Sequence, residues 1–92
     1  MKKIKYSEYN YGMGELINIE DVLTYKEDLN VGKNIPYEKL IFNKEKYLDK
    51  SKPYFIICFK GVKSKKAVSI LELYGYNVTQ VLKNWLKNLY ML

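Results

Sequence analysis

The hydrophobic and polar positions of this chain alternate in short blocks whose periods differ. "LINIE" (Leu16 to Glu20) is brief, rich in branched residues and preceded by the glycines of "YGMGE", which predicts a buried strand. "DVLTYKED" follows, where Asp21 can cap a short helix and its charge suits the helix dipole. "NVGKNIP" (Asn30 to Pro36) reads as a loop punctuated by Gly32 and Pro36. Pro36 then opens a helix through "YEKLIFNKEKYL", with Leu40, Tyr47 and Leu48 at helical spacing and Asn43 as the point of interruption.

"PYFIIC" (Pro53 to Cys58) is the clearest strand, continuous and apolar as in a parallel sheet covered on both faces, with its proline at the first strand position. After "FKGVK", Ser64 is predicted to cap a helix over "KKAVSILELY". Ala67, Ile70, Leu71 and Tyr74 form its apolar stripe and Gly75 ends it. "NVTQVL" predicts a further strand, and Leu82, Trp85, Leu86 and Leu89 space out as a closing amphipathic helix. Strands alternating with helices imply an α/β domain with a mostly parallel central sheet flanked by helices. Tyr74 is assigned to packing by its spacing, and Trp85 to the core of the last helix.

Composition narrows the chemistry. Residues 1–92, with 48% apolar positions, suffice for one modest core and one domain. A net charge of +6 favours anionic partners at long range without specifying a fold. The chain contains neither arginine nor histidine, so Ser-His-Asp and Cys-His pairs and imidazole metal sites do not arise. The single cysteine allows neither an internal disulfide nor a multi-thiolate metal site within the chain; a reducing, cytoplasmic setting is the natural expectation, and no cofactor is expected. "MKKIKYSEYNYG" begins like a signal peptide but has no apolar core, and no apolar stretch approaches membrane-spanning length, so no membrane partner is expected. The basic residues are scattered, without a motif of interleaved aromatics, which argues against a specific nucleic-acid partner.

The remaining candidate is "YFIICFKGVKSKK" (Tyr54 to Lys66), in which the apolar run ends on Cys58 and Lys60, Lys63, Lys65 and Lys66 follow. Ligands of parallel sheets bind at the carboxyl ends of strands, and a strand-to-helix turn aims free backbone N–H groups and a positive dipole end there. A thiol in such a setting is favoured as the reactive thiolate. The structural alternative is a cysteine serving as a small buried hydrophobe, beside lysines that line a solvated helix face.

The motif "CFKGVKS" (Cys58 to Ser64) resembles the active-site loop of the rhodanese-like sulfurtransferases, a pattern of the type C-x-x-G-x-[R/K]-S, with Cys58, Gly61, Lys63 and Ser64 matching in place. "LYGYNV" (Leu73 to Val78) is similar to the segment after that family's active-site helix, "LINIED" to its "LIDVRE" strand, and "NIP" to the end of "GHIPGAINIP". The resemblance spans roughly residues 15 to 85. It departs from the family pattern at Asn18 and Glu20, which replace aspartate and arginine, and at "EDLNVGK" (Glu27 to Lys33). "VLKNW" also lacks the usual double glycine, and Lys63 replaces the commoner arginine, giving a point charge in place of a planar fork.

The resemblance implies a small rhodanese-like three-layer sandwich occupying the whole chain. It further implies a sulfurtransferase in which Cys58 takes a sulfane sulfur from an anionic donor, thiosulfate-like or a persulfide, and passes it to a thiol, cyanide or protein acceptor. The backbone N–H groups of Phe59, Lys60, Gly61, Val62, Lys63 and Ser64 would cradle the persulfide, Gly61 would let the backbone curl, and Lys60 and Lys63 would orient the donor. Related phosphatases place an arginine six positions after the cysteine; position 64 is serine, so phosphate chemistry is disfavoured. The alternative is a catalytically weak rhodanese-like module that binds a protein partner through its basic, tyrosine-rich surface.

Overall fold

In the computed structural model, which describes residues 1–83, the strands assemble into one five-stranded sheet. The elements are β1 (Lys2–Lys5), β2 (Glu15–Asn18), α1 (Val22–Glu27), β3 (Lys33–Asn34), α2 (Tyr37–Phe42), α3 (Lys44–Tyr47), β4 (Pro53–Ile57), α4 (Val62–Leu73) and β5 (Asn77–Leu82), with two 3-10 turns between β1 and β2. The sheet order is β1-β5-β4-β2-β3, and each of these pairings is parallel. This is the flanked, parallel α/β sheet that the alternation of periods predicts.

The sheet's two faces follow from the period of two along β4. Tyr54, Ile56 and Cys58 join the larger core beneath α2, α3 and α4, together with Ile17, Leu40, Leu48, Ala67, Val68, Leu71 and Val78. Phe55 and Ile57 face the other way, with Leu16, Leu29 and Val81, against Tyr6, Tyr9, Val31 and Phe59. Each fully buried isoleucine or leucine contributes about 1.5–3 kcal/mol relative to exposure. The middle strands, buried on both sides, therefore hold the sheet.

Several expectations need correction. β1 is an edge strand that the sequence pattern does not reveal, because three of its four residues are lysine; charged side chains are a common protection of sheet edges. The segment read as a loop contains β3, which pairs with β2 through Ile17↔Lys33 and Asn18↔Asn34. Ser64 is not the helix cap: α4 starts at Val62 behind Gly61, whose φ of 83° ends the loop. Tyr74 is 55% exposed, with the Lys44 ammonium 4.1 Å from its ring centroid, and it is Tyr76 that is buried. Leu82 closes β5, and the predicted helix of Trp85, Leu86 and Leu89 lies outside the described residues. Asn43 does interrupt the middle helix, dividing α2 from α3. No helix among the described residues is long and apolar enough to cross a membrane.

Candidate active site

The end of β4 delivers Cys58 to the helical side of the sheet, one residue beyond the last paired position, Ile57. From there the chain must turn through three residues before α4 begins. Gly61 makes that turn in the left-handed region, where a side chain is strained. The consequence is a closed ring of contacts on sulfur. The backbone N–H of Gly61 donates to Cys58 Sγ at 3.1 Å and that of Ser64 at 3.2 Å, while Ser64 Oγ stands 3.3 Å from the same sulfur. The sulfur also meets the N-terminal turn of the 12-residue helix α4, whose unpaired amides and dipole favour negative charge.

A second tier holds this ring in place. Ser64 Oγ donates to Gly61 O at 3.2 Å, and Gln80 Nε2 on β5 donates to Gly61 O at 2.9 Å and to Ser64 Oγ at 3.0 Å. Gln80 is 3% exposed, so its amide has no water to compensate for a lost partner. Sequence reasoning treats Gln80 only as part of a strand. Its signal is positional: an amide in the interior of the strand "NVTQVL", on the same face as the buried Val78.

Glu20 is the other residue missing from the sequence-derived site. Its carboxylate, 7% exposed, accepts the Phe59 N–H at 2.7 Å and the Lys63 ammonium at 3.1 Å, bracing the loop from the β2 side. Asn18 fixes Glu20 in turn. Its Oδ1 accepts the Glu20 N–H at 3.0 Å, and its Nδ2 donates to Leu29 O at 2.8 Å and Val31 O at 3.1 Å. Asn34 Nδ2 donates to Asn18 O and Glu20 O. The departures at positions 18, 20 and 27 to 33 thus form one hydrogen-bonded unit.

An open cleft of about 590 Å³ lies over the thiol, with Cys58, Phe59, Lys60, Val62 and Lys63 among its lining residues. Cys58 itself is only 1% exposed, so a reactant must reach the sulfur along the cleft floor. Five of the seven predicted loop residues line the cleft, while Gly61 and Ser64 lie beneath it as donors to sulfur. The expected ring of four lysines is reduced to two. Lys66 lines a neighbouring groove with Tyr37 and Glu38, Lys65 lines neither, and Lys63 is committed to Glu20. Lys83 sits 4.0 Å from the centroid of the Phe59 ring, which also packs against the smaller core cluster of Phe55 and Ile57.

Asp21, at the cleft's other wall, caps α1. Its Oδ1 accepts the Thr24 N–H at 2.9 Å. That bond, then the Thr24 hydroxyl and, more weakly, Lys63, hold the Asp21 carboxyl below the usual aspartate range.

No protein-family model matches this chain, and no curated protein does. Solved structures match over nearly all of it. A rhodanese-related protein from Thermoplasma volcanium is 23% identical, with a TM-score of 0.78 over 96% of this chain and 93% of the other. A rhodanese homolog from the extremely thermophilic bacterium Thermus thermophilus is 22% identical, with a TM-score of 0.67 over 89% of this chain and 94% of the other. A single-domain sulfurtransferase from Saccharomyces cerevisiae is 20% identical, with a TM-score of 0.64 over 88% of this chain and 81% of the other. Superpositions of this quality at such identities show the fold alone and leave the chemistry to be argued from the site. Sheet order, the strand-to-loop-to-helix turn at Cys58 and these structural matches together place the chain on the rhodanese-like fold.

Proposed function

We propose that this protein is a sulfurtransferase that carries a sulfane sulfur on Cys58. The observation that supports the reading most directly is the pair of backbone N–H groups, of Gly61 and Ser64, aimed at one sulfur atom. Donors already in place stabilise charge on sulfur without reorganising when it develops. A cysteine serving only as a hydrophobe needs neither the donors nor the Gln80 tier behind them.

In the first step the Cys58 thiolate attacks the outer sulfur of a sulfane donor, thiosulfate-like or an organic persulfide. A bond forms between Cys58 Sγ and that sulfur, the donor's own sulfur–sulfur bond breaks, and the donor departs with the bonding pair, as sulfite or as a thiolate. In the second step an acceptor thiolate or cyanide attacks the terminal sulfur of the persulfide, the new sulfur–sulfur bond breaks, and Cys58 leaves as thiolate. The cycle is a two-step covalent transfer with no external oxidant or reductant. Gly61 and Ser64 hold the sulfur through their amides, Gln80 holds Gly61 and Ser64, and Glu20 holds the loop's first turn through Phe59. Phe59, Lys60, Val62 and Lys63 border the approach.

Intact mass after incubation with sulfane donors tests the reading. The wild-type chain should gain one sulfur atom, and Cys58→Ser should lose that gain completely while keeping its circular-dichroism spectrum. A folded wild-type chain that takes up sulfur from no donor would overturn the reading and leave a rhodanese-like module that binds a partner.

A further inference from the structure

The charge at the cleft is opposite to the charge of the molecule. The chain carries a net +6, yet the lining over Cys58 includes three carboxylates, Glu20, Asp21 and Asp28, against two ammonium groups, Lys60 and Lys63. Ion pairing makes the imbalance sharper. Lys63 and Glu20 neutralise one another at 3.1 Å, the single ion pair among the described residues. Asp21 and Asp28 then face an entering donor with Lys60 as the one lining ammonium outside that pair, Lys63 acting on Asp21 more weakly than the Thr24 bonds do. Asp21 stays ionised well into acid because the Thr24 N–H and hydroxyl stabilise its carboxylate. Asp28 is an exposed residue at the end of α1 and is in no ion pair among the described residues. These carboxylates do not form a metal site, since no group of three or more His, Cys, Asp or Glu side chains among the described residues could hold an ion.

A charged wall with low-dielectric backing acts on a ligand in proportion to the ligand's own charge. A dianion therefore meets twice the penalty of a monoanion, while a zwitterion carrying the same sulfane sulfur meets little of it. The amides of Gly61 and Ser64 act at the Cys58 sulfur, whichever donor enters. Selection falls to the rim.

We propose that this rim selects sulfane donors of low net negative charge, organic persulfides, over dianions such as thiosulfate, and that Glu20 sets the selection by engaging Lys63. The inference rests on the transfer reading above. Glu20 acts as a specificity and positioning residue, because it touches the loop and Lys63 and not the sulfur.

The test compares kcat/KM for three donors with a common thiol acceptor: thiosulfate, a dianion; methanethiosulfonate, a monoanion; and cysteamine persulfide, a zwitterion. Intrinsic donor reactivities cancel when each variant is divided by wild type. Glu20→Gln keeps a carbonyl for the Phe59 N–H and releases Lys63. It should raise the ratio of thiosulfate to cysteamine persulfide about tenfold, with methanethiosulfonate in between. Asp28→Lys, on an exposed side chain that bears no hydrogen bond of the loop, should raise the same ratio about threefold to tenfold and keep the fold intact. A general loss for all three donors in Glu20→Gln, with no change in their ratio, would make Glu20 merely structural. Together with an unchanged ratio in Asp28→Lys, that result would overturn the proposal while transfer itself stands. Sulfur uptake from none of the three donors would instead overturn the transfer reading, and this inference with it.

Discussion

Two glycines lie at opposite ends of the central strands, Gly14 ahead of β2 and Gly61 behind β4, and both have positive φ. They are glycine for different reasons. A Cβ on Gly14 would stand 2.6 Å from Pro53 O and 3.0 Å from the Phe55 ring, inside the packed pairing of β2 with β4. A Cβ on Gly61 would meet only Gln80 Nε2, at 3.9 Å, so space is available there and conformation alone is the constraint. One end of the sheet is closed by packing. The other is held open by a hydrogen-bonded turn, where the backbone amides of Gly61 and Ser64 converge on Cys58 Sγ. The same residue type therefore marks close packing at one end and the turn beneath Cys58 at the other.

The contrast is sharpest in a pair of alanine substitutions. Gly14→Ala should cost about 2–4 kcal/mol, because backbone must move and a strained φ is imposed, and leave sulfur uptake per folded molecule unchanged. Gly61→Ala should cost only about 1–2 kcal/mol, yet reduce the rate of uptake by on the order of tenfold or more, since relaxing its φ swings the N–H away from Cys58 Sγ. Denaturant melts and timed mass spectra of both variants would measure this. Equal effects on stability, or a larger kinetic effect at Gly14, would erase the distinction.

A smaller effect separates the open end's chemistry from its support. Gln80→Leu keeps volume but removes the donors to Gly61 O and Ser64 Oγ, at a cost of about 1–2 kcal/mol. Its sulfur uptake should fall less than in Gly61→Ala, because Ser64 Oγ still bonds Gly61 O. A Gln80 variant slower than the Gly61 variant would move the decisive constraint from the loop to β5.

The smallest expected effect is a pH dependence common to both ends. Asp21 near the cleft and Asp49 in the turn before β4 both have carboxyls held below the usual aspartate range, Asp21 by Thr24 and Asp49 by Ser51. Folded values below unfolded ones mean that each group contributes stability at pH above the ordinary aspartate value and loses it as pH falls through the folded value. Both carboxylates are exposed, so solvent screens the contribution. Acid titration of wild type beside Asp21→Asn should show a slightly flatter loss of stability in the variant, and a steeper one would reverse the sign of this assignment.

Much of the architecture was legible in the sequence wherever burial imposes a period. β4 runs apolar from Tyr54 to Ile57 because both of its faces are covered, and the division of α2 from α3 follows from Asn43, whose φ of −127° leaves the helical region. β1 and β3 were not legible. An edge strand buries little and carries lysines for protection, and a strand of two residues has no period to detect. At the site, the pattern of Cys58, Gly61, Lys63 and Ser64 marks the strand-to-helix turn, while the helix-cap expectation for Ser64 is corrected by the start of α4 at Val62. Ser64 is placed by its amide and hydroxyl under the sulfur and does not cap the helix. Lys63 is paired with Glu20, a residue 43 positions away in sequence.

Local features can be read from the string of residues: which segments are strands or helices, and that one thiol ends a buried strand before a glycine turn. Periodicity and turn chemistry act between near neighbours, so no knowledge of the folded chain is needed to see them. Which groups face the sulfur depends instead on how the strands pair. Gln80 reaches the loop because β5 pairs beside β4, and Glu20 because β2 pairs on β4's other side. The lysines that look like a cationic ring in sequence disperse around α4, since successive helical residues point about 100° apart. Charge at a site is fixed by the elements that converge on it, and here they bring carboxylates to the cleft over Cys58 in a basic protein.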